Sequence, residues 1–262
     1  MSMNNILWQF GCVVLLFLSV MWNRTAWGDP KWPLLGLAAS VGLWVLLALY
    51  VLISNLWGLY RGTLGEQGEV LVASLSSSSV LYVILSSAFA ILPLVGIVLF
   101  LIKAGQVPPI HDISTDTNNP PIFVFAEKAR HSSHNSLVYT NKNAELQKRA
   151  YPEIKPLFAS VTPSELMTVA EVVVTELGWE IDAVDKEKGL IEARSTTALL
   201  RFVDDIIIRV ERTPEGGSKM DVRSASRIGV SDLGANAKRI QLFIDAVSLK
   251  LSVVDLAETK YS

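Results

Sequence analysis

Charge is so unevenly spread along this chain that no single solvent suits both halves. Of 48 charged residues, seven lie in residues 1–104 and 41 in 105–262. Three stretches of the first part, about 6–22, 34–57 and 80–102, contain no Asp, Glu, Lys or Arg. About 20 apolar residues span a bilayer as a helix, so the expectation is an α-helical transmembrane region of three spans over 1–104. The second part is expected to form an α+β soluble domain.

The first stretch reads as an uncleaved span, since no Lys or Arg precedes it and Met21-Trp22-Asn23 lacks small residues for cleavage. Trp22, Trp27 and Trp32 crowd the loop that follows, as interfacial anchors do. Ser86, Ser87, Pro93 and Gly96 in the third stretch suit helix packing or a membrane-protein partner. No charged residue lies within a stretch, which argues against a transporter. Cys12 is the sole cysteine, so neither an intrachain disulfide nor a cysteine zinc site can form. With three spans the soluble domain shares a face with the Trp-bearing loop, and a one-charge excess of Arg and Lys points to the cytoplasmic side.

Residues 105–262 hold 19 Lys and Arg against 22 Asp and Glu, a net charge of −3. That gives no global basic field, so nucleic acid is not expected as a partner. Residues 105–160 are rich in Pro, Asn, Ser and His without sustained periodicity and read as an irregular segment packed on the domain. The domain proper covers 161–262. Thr162-Pro163-Ser164-Glu165 is a capping box opening a helix whose apolar face is Leu166, Val169, Ala170, Val173 and Leu177, with Gly178 placed to end it. Four strands follow, at Trp179–Val184, Leu190–Thr197, Phe202–Arg212 and Lys219–Arg227. Ile206, Ile208 and Val210 alternate with Asp205, Ile207 and Arg209, the signature of a sheet buried on one side. A last helix starts near Ser231 or Asp232, with Leu233, Ala237, Ile240, Ile244, Val247, Leu251 and Val254 on its apolar stripe. The order is helix, four-stranded antiparallel sheet, helix, with both helices on the apolar face.

The densest polar run, Asp221 to Arg239, leaves the fourth strand for the last helix. Arg223 and Arg227 share a strand face, and a hairpin at Pro214–Gly217 brings Arg209 opposite Asp221 and Asp205 near Arg223. Two readings stay open. One is a solvated cross-strand charge ladder. The other is an anion or carboxylate site, with Arg223 and Arg227 as forks, Ser224 and Ser226 as further donors, and helix N–H groups pointing the same way. Asp232 and Asn236 cap the strand-to-helix corner. His111, Asp112 and Asp116 form a second candidate, since a histidine with two carboxylates can hold a divalent metal or serve acid–base chemistry. Their spacing fits no established metal motif, so no metal, cofactor or catalytic residue is assigned. His131 and His134 read as solvated loop residues, and Asp204-Asp205 as solvent-facing. G-x-S-x-G, Walker, H-E-x-x-H and G-x-G-x-x-G patterns are absent.

Arg223, Ser224, Ser226, Arg227, Gly229, Ser231, Asp232, Gly234, Asn236, Arg239 and Ile240 fit an R-S-A-S-R-x-G-x-S-D-x-G-x-N-x-x-R-I block. With Pro109–Asp116, Pro120-Pro121 and Gln147–Pro156, the run resembles the DUF1499 family over about 105–262. Such a resemblance implies no established activity and commonly an envelope or thylakoid-lumen location. It turns the expected orientation outward, to a bacterial inner-membrane protein with a periplasmic domain. The resulting expectation is a non-enzymatic binding or scaffolding module. Its surface is Arg223, Ser224, Ser226, Arg227, Asp232, Asn236 and Arg239, covered in part by His111, Asp112 and Asp116. An anionic ligand, membrane lipid headgroup, membrane-protein partner or second copy would suit it. A subunit of a larger membrane complex and a metal-assisted hydrolase using His111, Asp112 and Asp116 are the alternatives.

Overall fold

The computed structural model describes residues 31–63, 77–198 and 201–261. The chain divides into two compact units, Met1–Ala104 and Gly105–Ser262. In the first, helix α1 covers Lys31–Thr63 and α2 covers Ser77–Gly105. Trp44 and Ala48 of α1 form a small core with Leu94 of α2 packed against it. Asn55 is buried and donates from Nδ2 to the Ser87 hydroxyl at 3.0 Å. Leu46, Ile53, Leu92 and Leu99 are exposed.

Among the described residues no helix is long and apolar enough to cross a membrane, which corrects the three-span expectation. The stretch 6–22 lies outside the described residues, as do Cys12, Trp22 and Trp27. Freedom from Asp, Glu, Lys and Arg is a weaker property than sustained apolarity. Ser54 and Asn55 of α1 and Ser87 of α2 fall within charge-free stretches, and their hydrogen bonds run to neighbouring turns and helices rather than marking a uniform apolar rod.

The second unit runs β1 (Asp112–Ser114), α3 (Phe125–Ala129), α4 (Asn141–Ala150), β2 (Leu157–Ala159), α5 (Pro163–Glu176), β3 (Glu180–Asp185), β4 (Leu190–Thr196), β5 (Val203–Arg212), β6 (Ser218–Ser226) and α6 (Ala235–Tyr261). The sheet is antiparallel in the order β1-β6-β5-β4-β3, and β2 pairs with β6 beside β1. Six strands replace the expected four because the segment 105–160 supplies two. A three-residue strand carries no period to read. These two exist because β6 offers them an edge, Ile113 facing Ser224 and Phe158 facing Lys219.

Helices α5 and α6 cover one face. Leu166, Val173, Ile206, Val222, Ile240 and Phe243 lie in its core, and Trp179 stacks on Phe243 at 5.3 Å between ring centroids. The capping box forms as the sequence predicts: Thr162 accepts from the Glu165 N–H, and Glu165 accepts from the Thr162 N–H at 2.8 Å. Gly189 is required in the turn between β3 and β4, since its φ is +66° and a Cβ there would strike the Val210 carbonyl of the neighbouring β5.

One-sided burial is also corrected. Phe123, Ala126, Ile207 and Ala225 form a second core on the opposite face, where residues 115–140 lie across the sheet as a strap. The charged side chains of that face are buried with it: Asp205, Asp221 and Arg223 are each at most 3% exposed. The last helix starts at Ala235, later than the sequence predicts, because Leu233 and Gly234 both take left-handed φ values of 54° and 82°. Leu233 is therefore off the stripe and exposed, while Ala237, Ile240, Phe243 and Val247 are buried.

Candidate functional site

Register decides which charges meet. Strand β6 places Arg223 opposite Ser114, two residues along β1 from the Asp112–Ala225 pair and so on the same face. The Arg223 guanidinium forks onto Asp112, Nε to Oδ1 at 3.0 Å and Nη2 to Oδ2 at 2.7 Å. Its Nη1 donates to the Pro121 carbonyl at 2.8 Å and Nη2 also donates to the Leu137 carbonyl at 2.6 Å. Phe123 and Tyr139 hold its two flanks, with ring centroids 5.0 and 5.4 Å from Cζ. Burial, and then the Asp112 charge, push the Tyr139 hydroxyl far above its usual range. Arg223 thus knots β6, β1 and both ends of the strap. The strap also ties down elsewhere: the buried Glu192 of β4 accepts from the N–H groups of Val124, Phe125 and Ala126 at the start of α3. Gln147 of α4 clasps the edge of β1, accepting from the Ser114 N–H at 2.9 Å and donating to its carbonyl at 2.6 Å.

Asp205, opposite Ala225, is shared by two guanidiniums. Arg130 Nε reaches Oδ2 at 2.8 Å, and Arg227 Nη2 reaches Oδ1 at 2.7 Å. Arg130 donates further to the carbonyls of Asn135 and Ala225. Next to them Arg239 of α6 pairs with Asp204 at 2.5 Å and donates to the Ser224 hydroxyl at 3.0 Å. Asn236 links Ser224, Ser226 and the His111 carbonyl. Asp232 caps the corner as expected, accepting from the N–H groups of Gly234 and Asn236. Burial pushes its carboxyl above the usual range although those two N–H groups pull the other way.

At the other end of β6, Arg209 meets Asp221 at 2.7 Å, and Lys219 bridges Asp221 at 3.0 Å and Asp116 at 2.8 Å. Burial raises the Asp116 carboxyl, but Lys219 and the N–H groups of Asn119 and Asn118 more than reverse this and leave it below the ordinary range. A carboxyl lowered on folding contributes stability above its unfolded pKa, and loses it as pH falls through the folded value. Asp116→Asn is therefore expected to flatten the acid limb of stability below about pH 4. Urea midpoints of both proteins measured from pH 6 to 2 check this; parallel limbs would refute it.

Neither reading of the charge cluster survives whole. The cross-strand ladder forms, yet it is buried rather than solvated. Asp204 and Asp205 face guanidiniums, not solvent. In the anion-site reading, Arg223, Ser224, Ser226, Asn236 and Arg239 would meet a ligand, but they spend their polar atoms on the protein. The His111, Asp112 and Asp116 triad does not assemble either: Asp112 is forked by Arg223, Asp116 faces Lys219, and His111 enters through its carbonyl. Among the described residues no group of three or more His, Cys, Asp or Glu could hold a metal ion. The physical cause is pairing, since each acid of the triad is held by a cation, Asp112 by the buried Arg223 and Asp116 by the half-buried Lys219.

What these bonds enclose is a groove of about 470 Å³ under the strap, with Ile122, Phe123, Val138 and Tyr139 among its walls and Arg130, His134 and Arg223 among its polar lining. Of these, only Arg223 was among the residues the sequence singled out as candidates. Arg130, Asn135, Glu192 and Gln147 gave no signal, because their partners lie 33 to 95 positions away or on backbone atoms. His131 stays exposed, as expected, while burial and then the charges of Arg227 and Arg130 hold the half-buried His134 below the ordinary histidine range.

The family model described as "Protein of unknown function (DUF1499)" matches residues 112–247. No curated protein matches the chain.

Proposed function

The chain belongs to the DUF1499 family, whose description assigns it no activity, and from that premise we propose that residues 105–262 form a non-enzymatic binding module whose ligand seat is the groove under the strap. The observation that supports this reading is the division of labour around Arg223. Four of its N–H groups and both ring contacts go to the protein, so the Arg-Ser-Asp corner works as a framework. That framework keeps an open, preformed concavity next to it, and preformed pockets mixing apolar walls with a few polar groups are where small ligands bind. Among the described residues, the His134 ring and the Ser136 hydroxyl in the groove accept from the backbone N–H groups of His131 and Val138 and not from each other, which favours binding over turnover.

Ligand-observed NMR of the full chain against a small-molecule library tests the seat. Val138 is 72% exposed on the groove wall, so Val138→Trp is expected to fill the groove without lowering the melting temperature. Hits lost in that variant support the reading. A library whose hits all persist in it, or one that gives none, overturns it.

A further inference from the structure

Helix α6 carries two apolar stripes, and the sheet covers only one of them. Ala237, Ile240, Phe243 and Val247 face the core and are buried. Leu242 and Leu249 follow Ile240 and Val247 by two residues, which carries them to the far side of the helix. There Leu242, Leu249 and Val253 are 51%, 67% and 58% exposed. The steps between them are seven and four, and the half-buried Ala246 sits four after Leu242. Such a repeat of about 3.5 residues is the seam along which two helices pair. A helix whose outer side met only water would be polar there.

The charges beside this seam select its occupant. Asp245 flanks it on one side and Lys250 on the other. Each is held by its own chain only through exposed contacts: Gln241 Nε2 donates to Asp245 at 2.8 Å, and Lys250 donates to Glu176 of α5 at 2.8 Å. Exposed contacts of this kind contribute little, and a lysine ammonium has three donors, so neither tie prevents a further one. Where two helices pair in parallel along such a seam, a flanking residue of one meets the residue five positions on in the other. Asp245 then meets Lys250 of a second copy, and the two-fold axis forms the reverse pair as well. An antiparallel pairing would turn like flanks together, acid to acid and base to base.

We propose that the outer stripe of α6 is a homodimer interface on which a second copy of this chain lays its own α6 in parallel. Leu242, Leu249 and Val253 each meet their counterparts, and Asp245 pairs with Lys250 of the second copy on both flanks. The core-facing stripe points away from the seam, so the two sheets lie outside the helix pair. The groove at the strap is on the other face of the sheet, and the dimer stands whether or not that groove binds a ligand.

Sedimentation equilibrium of the full chain reads the dimer dissociation constant. Leu249→Lys is expected to raise it at least about tenfold, a step of about 1.4 kcal/mol. The melting temperature of the dilute monomer is expected to hold in that variant, because Leu249 is exposed. Asp245→Lys and Lys250→Asp are each expected to raise the constant about threefold, and the double variant to return it to within about twofold of the wild type. Loss of an in-chain contact alone would give no such rescue. Orientation is read from Leu242→Cys in a Cys12→Ser background. In a parallel pair the two new thiols face each other and join under mild oxidation, whereas an antiparallel pair centred on Leu249 would hold them about 20 Å apart. A chain that stays monomeric, a constant indifferent to Leu249→Lys, a double variant no better than the single ones, or a Leu242→Cys chain that does not cross-link overturns the proposal.

Discussion

Arg223→Met is expected to lower the unfolding free energy of the second unit by about 3–5 kcal/mol, because it strands the Asp112 carboxylate at zero exposure with its cation gone. Chemical denaturation followed by far-ultraviolet circular dichroism reads this directly. Methionine keeps much of the bulk between Phe123 and Tyr139, so the loss reports charge and hydrogen bonds rather than a cavity. Adding Asp112→Leu removes the stranded charge and is expected to recover more than half of the loss. Full recovery is not expected, since the Pro121 and Leu137 carbonyls still lack their donor, at a cost of about 2 kcal/mol. A double variant as unstable as Arg223→Met alone would show that the ion pair is not what holds the strap.

Phe243→Ala is expected to cost a further distinct amount, about 3–5 kcal/mol, through a cavity on the opposite face of the sheet. Phe243 has no exposed surface, stacks on Trp179 at an interplanar angle of 26°, and sits where α6 meets the sheet. Its neighbour Leu242 is 51% exposed, and Leu242→Ala is expected to change stability by less than about 0.5 kcal/mol. Thermal and urea unfolding of the two variants side by side separates burial from mere loss of an apolar side chain. Similar losses in both would mean that α6 is not docked by this face. Arg223 and Phe243 lie on opposite faces with no shared partner, so their effects should add.

The helical and long-strand parts of the second unit were legible because each writes its own period. Thr162, Pro163 and Glu165 announce the start of α5, and Ile206, Ile208 and Val210 announce the buried face of β5 with local signals alone. The Asp232 cap was legible for the same reason, since its bonds close over two to four residues, whereas the Asn236 side chain, expected to cap as well, reaches Ser224, Ser226 and the His111 carbonyl 10 to 125 positions away. Charge-free runs in the first part misled, because a missing charge is not the same as unbroken apolarity across α1 and α2.

The candidate site followed the other rule. Its motif, from Arg223 to Arg239, could be found in the chain, but its use could not. Arg223 and Asp112 stand 111 positions apart and Glu192 stands 66 to 68 from the N–H groups it caps. Whether Asp205 answers one cation or two depends on where the strap brings Arg130, a contact over 75 positions.

The amino-acid order by itself thus determined the antiparallel α+β core, its capped helices and the polar block that marks the family, because these rest on spacings of two to four residues. Tertiary structure alone decided that the charged face is covered, that the corner residues satisfy one another, and that an open groove lined by Arg130 and Arg223 remains at the strap. Pairing of buried charges depends on distance in space, and the free energy of leaving one unpaired is what selects partners that no local pattern encodes.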